Sequence, residues 1–316
     1  MSDPAATSVR STSFGNRGLR LSADLHLPAG FDERAQWPAL VLATPGSSVK
    51  EQVSAIYGSR MAALGFVALT FDPAFQGESD GIPRDLEDPA TRAEDIRCAV
   101  DHLVTLPFVD EDRIGLLGIC AGSGYAIHAA LTEHRFRAIG TVVAIDIGST
   151  FRKTPPSGDL FDTLRQLGHA RTAEARGAGA RRDPWIPDSL AAAAEAGITD
   201  HEVLEAIRFY RESAHRHPRS TNRLLFRSYS HLLAFDAFHL VPQLLVQPLQ
   251  VIVGGKPGST GQYAAGQRLF DLSPARHKDL FVVDGAGHYD LYHRPEHVGP
   301  AVARLAGFYA RHLMDA

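Results

Sequence analysis

The residues whose types and spacing allow covalent chemistry lie in Arg113-Ile114-Gly115-Leu116-Leu117-Gly118-Ile119-Cys120-Ala121-Gly122-Ser123-Gly124-Tyr125. An apolar run enters a turn of small residues, and a helix-like run from Ala126 to His134 leaves it. The spacing at the turn is Gly-x-Cys-x-Gly, the nucleophile-elbow pattern with cysteine in the serine position. Such a corner holds its central residue in strained backbone. Gly118 and Gly122 flank it because a Cβ there would meet the neighbouring strand or helix. The corner exposes the sulfur at the carboxyl end of a sheet, over a helix N-terminus whose dipole favours thiolate. Two blander readings compete: an inert cysteine in a glycine-packed turn, and a dinucleotide loop. Gly118-x-x-x-Gly122-x-Gly124 is not the G-x-G-x-x-G spacing that the second requires.

A strand-borne nucleophile needs a base. In Val283-Asp284-Gly285-Ala286-Gly287-His288-Tyr289-Asp290-Leu291-Tyr292, His288 follows the last apolar strand through a small-residue loop that can carry an imidazole back to the elbow. One of fifteen histidines means little alone, but the chain order nucleophile, acid, histidine selects this one. The acid is harder to place. Gly254-Gly255-Lys256-Pro257-Gly258-Ser259-Thr260, after the strand ending at Val253, has no carboxylate. Asp146, at the end of the preceding strand, is the preferred acid. Asp290 comes next, and Asp284 also flanks the base. Asp146 has a structural alternative, capping the following turn or pairing with Arg152. A thiolate–imidazolium pair needs an orienting acid less than a serine does. For a tetrahedral oxyanion, the backbone N–H of Ala121 is one donor and that of Ser47 the expected second. Ser47 and Ser48 also suit a plain turn. Asp72 and Glu78 lie near the pocket and read as turn formers rather than catalysts. His215 and His217 lack metal-ligand spacing.

The elements that must position these groups alternate along the chain. Ser11 to Pro28 reads as a hairpin turning at Gly15-Asn16-Arg17-Gly18, after a loose lead-in over residues 1–10. Pro38 to Thr44, Phe66 to Phe71, the elbow strand, Ala138 to Ile145, Leu249 to Val253 and Leu280 to Val283 are short apolar runs of buried strands. Helical spacing covers Lys50 to Leu64, Asp88 to Leu106, Gly261 to Leu272 and Val298 to Leu313. This alternation predicts a parallel sheet wrapped in helices. From Ser149 to about Val246 the rhythm breaks, which predicts a helical cap with helices near Ser189 to Ala196 and Asp200 to Ala214. The expected division is a core over residues 1–148 and 247–316, with the cap over 149–246.

Composition narrows the function classes. The 316 residues are 44% hydrophobic and 22% charged, as in ordinary soluble globular proteins. A net charge of −4 argues against non-specific nucleic-acid binding. No apolar run reaches membrane-spanning length, and Met1 to Arg10 lacks a signal core. Cys98 and Cys120 make no disulfide scaffold, and a free thiol fits a reducing cytoplasm. No cofactor motif is present.

Thr44-Pro45-Gly46-Ser47-Ser48-Val49-Lys50-Glu51-Gln52, Thr70-Phe71-Asp72-Pro73, Gln76-Gly77-Glu78-Ser79, Glu94-Asp95-Ile96-Arg97, the elbow and Gly287-His288-Tyr289-Asp290-Leu291-Tyr292 resemble the α/β-hydrolase superfamily. More narrowly, they resemble its dienelactone-hydrolase-like branch, with the polyketide transferases and thiohydrolases. The resemblance implies an α/β-hydrolase fold: a mostly parallel eight-stranded sheet flanked by helices, with a helical cap between strands 6 and 7. It also implies Cys120 as nucleophile and His288 as base. In dienelactone hydrolases the acid follows the later strand, near the place where Gly258 stands here. The expected activity is acyl transfer through an S-acyl Cys120, on a thioester, ester or lactone. The acceptor is water or another nucleophile, in polyketide-type metabolism. The expected partner is a small acyl substrate, free or bound to a carrier protein, with a homodimer left open. Rival readings are a dienelactone-hydrolase-like carboxylesterase, a cyclase or isomerase, and a non-catalytic ligand-binding scaffold.

Overall fold

The structure, a computed structural model, describes residues 7–314. Strands β1 (Ser8–Asn16), β2 (Leu19–Leu27), β3 (Trp37–Ala43), β4 (Val67–Phe71), β5 (Val109–Ile119), β6 (Phe136–Val142), β9 (Leu249–Gly254) and β10 (Lys278–Val283) form one sheet. Its order is β1-β2-β4-β3-β5-β6-β9-β10. The pairs from β4 through β3, β5, β6 and β9 to β10 are parallel, and β1 and β2 add an antiparallel edge. This is the eight-stranded, mostly parallel sheet expected. The hairpin turns at Arg17-Gly18, but β1 begins at Ser8, so the loose lead-in is shorter than expected. Its first six residues lie outside the described chain.

The apolar runs alternate in period two between the two faces. On β3, Ala39, Val41 and Ala43 join one core layer, while Leu40 and Leu42 join the other. Helices α1 (Val53–Ala62) and α12 (Pro295–Leu313) cover the second face. Helices α2 (Pro89–Leu103) and α3 (Ala121–Ala130) cover the first. Asp88 starts α2 by accepting the Ala90 N–H at 3.2 Å, a cap contributing about 1 kcal/mol.

Between β6 and β9 the chain leaves the sheet for α4 (Ile147–Lys153), α5 (Leu160–Ala175), α6 (Leu190–Glu195), α7 (His201–Ile207), α8 (Ser228–Ala234) and α9 (Val241–Leu244). Helix α7 continues as a π-helical turn, Arg208–Glu212. The segment also holds a ribbon of β7 (Arg182–Pro184) and β8 (Arg223–Leu225), which the sequence reading did not expect. Three-residue strands are too short to display a period. The chain ends with α10 (Gln262–Leu272), α11 (Asp290–His293) and α12. Among the described residues no helix is long and apolar enough to cross a membrane.

Candidate active site

Cys120 sits between the end of β5 and the start of α3 at φ 56, ψ −125. Backbone bonds on both sides hold that left-handed corner: its N–H donates to Val142 O at 3.0 Å, and its carbonyl accepts the Ile145 N–H at 3.2 Å. A Cβ on Gly118 would collide with the backbone of Ser123, and one on Gly122 with the Ala43 carbonyl. The glycines are therefore required by close approach.

The sulfur faces a cavity of about 490 Å³ between the sheet's carboxyl end and the segment between β6 and β9. Ile145, Phe151, Trp185, Ile186 and Val203 come from that segment, and Pro45, Tyr289 and Tyr292 from the rest of the chain. Among the described lining residues none is cationic, and Asp200 is the one carboxylate. Its charge is engaged, since it accepts the Val203 N–H at 2.9 Å and the Ser259 hydroxyl at 2.8 Å.

His288 is fully buried. Its Nδ1 stands 3.2 Å from Thr260 Oγ1, and its Nε2 3.1 Å from the Tyr292 hydroxyl. That hydroxyl also stands close enough to the Cys120 thiol to favour its thiolate, so Tyr292 lies between nucleophile and base. Tyr210, from the π-helical turn, packs edge-on to Tyr292 with ring centroids 6.2 Å apart. Burial pushes the Cys120 thiol up to about 11, against the Tyr292 hydroxyl and the Ala121 N–H, which favour thiolate. Burial also pushes His288 down to about 3. The resting pair is thiol and neutral imidazole. The helix dipole, expected to favour thiolate, is opposed here by burial of the sulfur.

Asp146 is not beside His288. Its Oδ1 accepts the N–H groups of Ser149 and Ala237, each at 3.4 Å. Its Oδ2 pairs with Arg268 at 3.3 Å and Arg152 at 4.0 Å. This corrects the preferred acid: Asp146 caps α4 and anchors neighbouring loops. Asp290 accepts the Gly287 N–H at 2.8 Å and pairs with Arg294 at 2.8 Å, which holds the histidine loop. Asp284 is exposed.

Ser47 lines the cavity with Ala121, and its φ of 59 turns the loop after β3 toward the sulfur. Its carbonyl accepts the Ser220 hydroxyl at 2.6 Å. Buried Arg92 fixes the same loop by donating to Thr44 O at 2.6 Å. Asp72 and Glu78 do not line the cavity. Their carboxylates cluster with Glu51 around the Lys50 ammonium, which lies 2.6 Å from Glu51 and Glu78 and 3.6 Å from Asp72. Lys50 and Arg219, the latter 2.7 Å from Glu78 and 3.8 Å from Glu51, already pair with the group, so it is a partly buried ion network bracing the loops rather than a metal site.

Thr260, Tyr292, Tyr210 and Glu202 join the site without having been expected. Tyr292 follows His288 at i+4 inside the quoted block, and that spacing was the available signal. Glu202 lies in the first turn of α7, and nothing in its spacing marks it out.

The chain is 36% identical over 309 residues to the Escherichia coli protein YcjY, covering 96% of this chain and 98% of that one. It is 30% identical to thiohydrolase aneE of Aspergillus aculeatus, across 76% of this chain and 74% of aneE. The crystal structure of protein PA2218 from Pseudomonas aeruginosa matches with a TM-score of 0.88 at 30% identity, over 98% of this chain and 95% of that one. Dienelactone hydrolase from Anabaena variabilis shares the fold at a TM-score of 0.55, with 12% identity over 97% of this chain and 99% of the other. The chain belongs to the α/β-hydrolase superfamily. Within it, the chain belongs to the family of YcjY and thiohydrolase aneE. No protein-family model matches it. In this hydrolase-family chain the elbow, the cavity and the histidine loop meet at the sheet's carboxyl end.

Proposed function

We propose that this protein is an acyl-transfer enzyme that carries its acyl group on Cys120, beneath a cap formed by residues 149–246. The observation that carries the reading is the strained Cys120 elbow opening onto an apolar cavity, linked through Tyr292 to a neutral His288. As a substrate carbonyl reaches the sulfur, the Tyr292 hydroxyl passes its proton to His288 Nε2 and takes the proton of Sγ. Sγ bonds to the carbonyl carbon, and the oxyanion lies against the N–H groups of Ala121 and Ser47. The bond to the leaving group then breaks, and the imidazolium returns the proton to that group. Water or another nucleophile reverses these steps and frees the enzyme. A lining without cations suits an uncharged, apolar acyl chain. A thioester suits a sulfur nucleophile, because exchanging one thioester for another is nearly isoenergetic. Relatives named thiohydrolase, polyketide transferase and acyltransferase support the same chemistry.

The test is intact mass spectrometry after mixing with S-phenyl thiohexanoate. Wild type should gain a hexanoyl mass that maps to Cys120, and Cys120→Ala should gain none. An unmodified wild type that also releases no thiophenol would favour a ligand-binding scaffold. The product tells water from another acceptor.

A further inference from the structure

The loop after β9 has no carboxylate, yet the fold places one there from elsewhere. A Cβ built on Gly258 would collide with the carboxyl group of Glu202. Glu202 is the second residue of α7 and is 6% exposed. Its Oε2 accepts the Thr260 N–H at 2.6 Å, with the Ser259 hydroxyl at 3.5 Å. Its Oε1 is buried with no partner. Thr260 is the same residue whose hydroxyl meets His288 Nδ1 at 3.2 Å. Among the described residues no cation pairs with Glu202, so the structure gives this buried carboxylate no ion-pair role.

We propose that Glu202, carried in from the segment between β6 and β9, is the acidic positioning residue of His288, acting through Thr260. This rests on the assignment of Cys120 and His288 above and supplies the member that assignment lacks. A buried carboxylate oxygen without a donor favours a hydroxyl that turns to it, and Thr260, whose N–H already binds Glu202, carries one. With the Thr260 O–H turned to the carboxylate, Thr260 Oγ1 must accept from Nδ1–H. That tautomer leaves Nε2 bare toward Tyr292 and the sulfur, as a base requires. With Thr260 donating to Nδ1 instead, Nε2 would hold the proton and could take none. When the imidazolium forms, the same carboxylate offsets its charge. The neutral resting pair makes this support more necessary than a standing thiolate would. The acid reaches the site only while α7 stays docked. The Asp200–Ser259 bond at 2.8 Å and the Glu205–Arg294 pair at 3.3 Å hold it there.

The experiment measures steady-state hydrolysis of S-phenyl thiohexanoate by wild type, Glu202→Gln, Glu202→Ala and the double variant Glu202→Ala/Gly258→Asp, with thermal melting of each. Glu202→Gln should lower kcat by about 100-fold, with KM within about threefold. The double variant moves the carboxylate onto the loop after β9 and should be about tenfold or more faster than Glu202→Ala, a rescue that a merely structural role would not produce. A folded Glu202→Gln within threefold of wild-type kcat overturns the proposal, as does a folded double variant no faster than Glu202→Ala. If Glu202→Gln does not fold, Thr260→Val decides, with the same kcat loss supporting the proposal and wild-type kcat overturning it. A wild type that forms no adduct on Cys120 overturns the parent assignment as well, whereas the other failures leave it standing.

Discussion

At pH 7 a thiol held near 11 is protonated in all but roughly one molecule in ten thousand, so Cys120 acquires its nucleophilicity as the proton leaves. In the free enzyme, its alkylation by iodoacetamide should rise about tenfold per pH unit from pH 7 to 10 and bend only near 11. Peptide mapping must separate Cys98, whose half-buried thiol is also pushed up to about 11. A plateau below pH 8 would contradict the buried-thiol picture. The Tyr292 hydroxyl favours thiolate, so Tyr292→Phe should raise the thiol pKa further and slow labelling at pH 9. His288→Gln should lower acylation by about 10²–10⁴-fold without abolishing binding, read by stopped-flow release of thiophenol.

The elbow is the element whose geometry admits the least change. Gly122→Ala would press a methyl into the Ala43 carbonyl, and urea denaturation should show a loss of about 2–3 kcal/mol. Gly307→Ala is the control. That position is exposed on α12 and its new Cβ meets nothing, so helix propensity should add about 1 kcal/mol. Equal effects at the two sites would refute the close-approach account of the elbow glycines. The π-helical turn after α7 brings Tyr210 edge-on to the Tyr292 ring, a placement that an uninterrupted α-helix would alter.

For the whole molecule, burial holds His26, His102, His128, His288, His293 and His312 below the ordinary imidazole range. Each takes up a proton more readily when unfolded. Each therefore subtracts stability as pH falls below about 6.5, and His288 does so down to about 3, at about 1.4 kcal/mol per pH unit. Asp95, pushed up to about 6 by burial, and Asp72, also raised, act in the opposite sense, since their native forms keep a proton that the unfolded chain gives up. The histidines outnumber these carboxyls, so urea midpoints should fall between pH 7 and pH 4.5. His288→Gln should fall less, and an unchanged slope in that variant would show that His288 is not buried neutral.

Local strings determined much of this protein. Short apolar runs separated by helical spacing specify a parallel sheet, because strand and helix periods are written within ten or so residues. Gly118-x-Cys120-x-Gly122 likewise specifies the corner, since only glycine allows that approach. The carboxylate behind Thr260, the partner of His288, was not legible. Asp146 had the expected place in chain order, but capping α4 and pairing with Arg268 engage it locally. Glu202 lies eighty-six residues before the base, in a stretch whose sequence predicts a helix but not what that helix packs on. Its carboxylate fills the hollow left by Gly258 only after α7 packs on the loop after β9. The tertiary structure also decided the proton: desolvation belongs to the assembled core, and no spacing of residues reports that the thiol rests protonated beside a neutral imidazole.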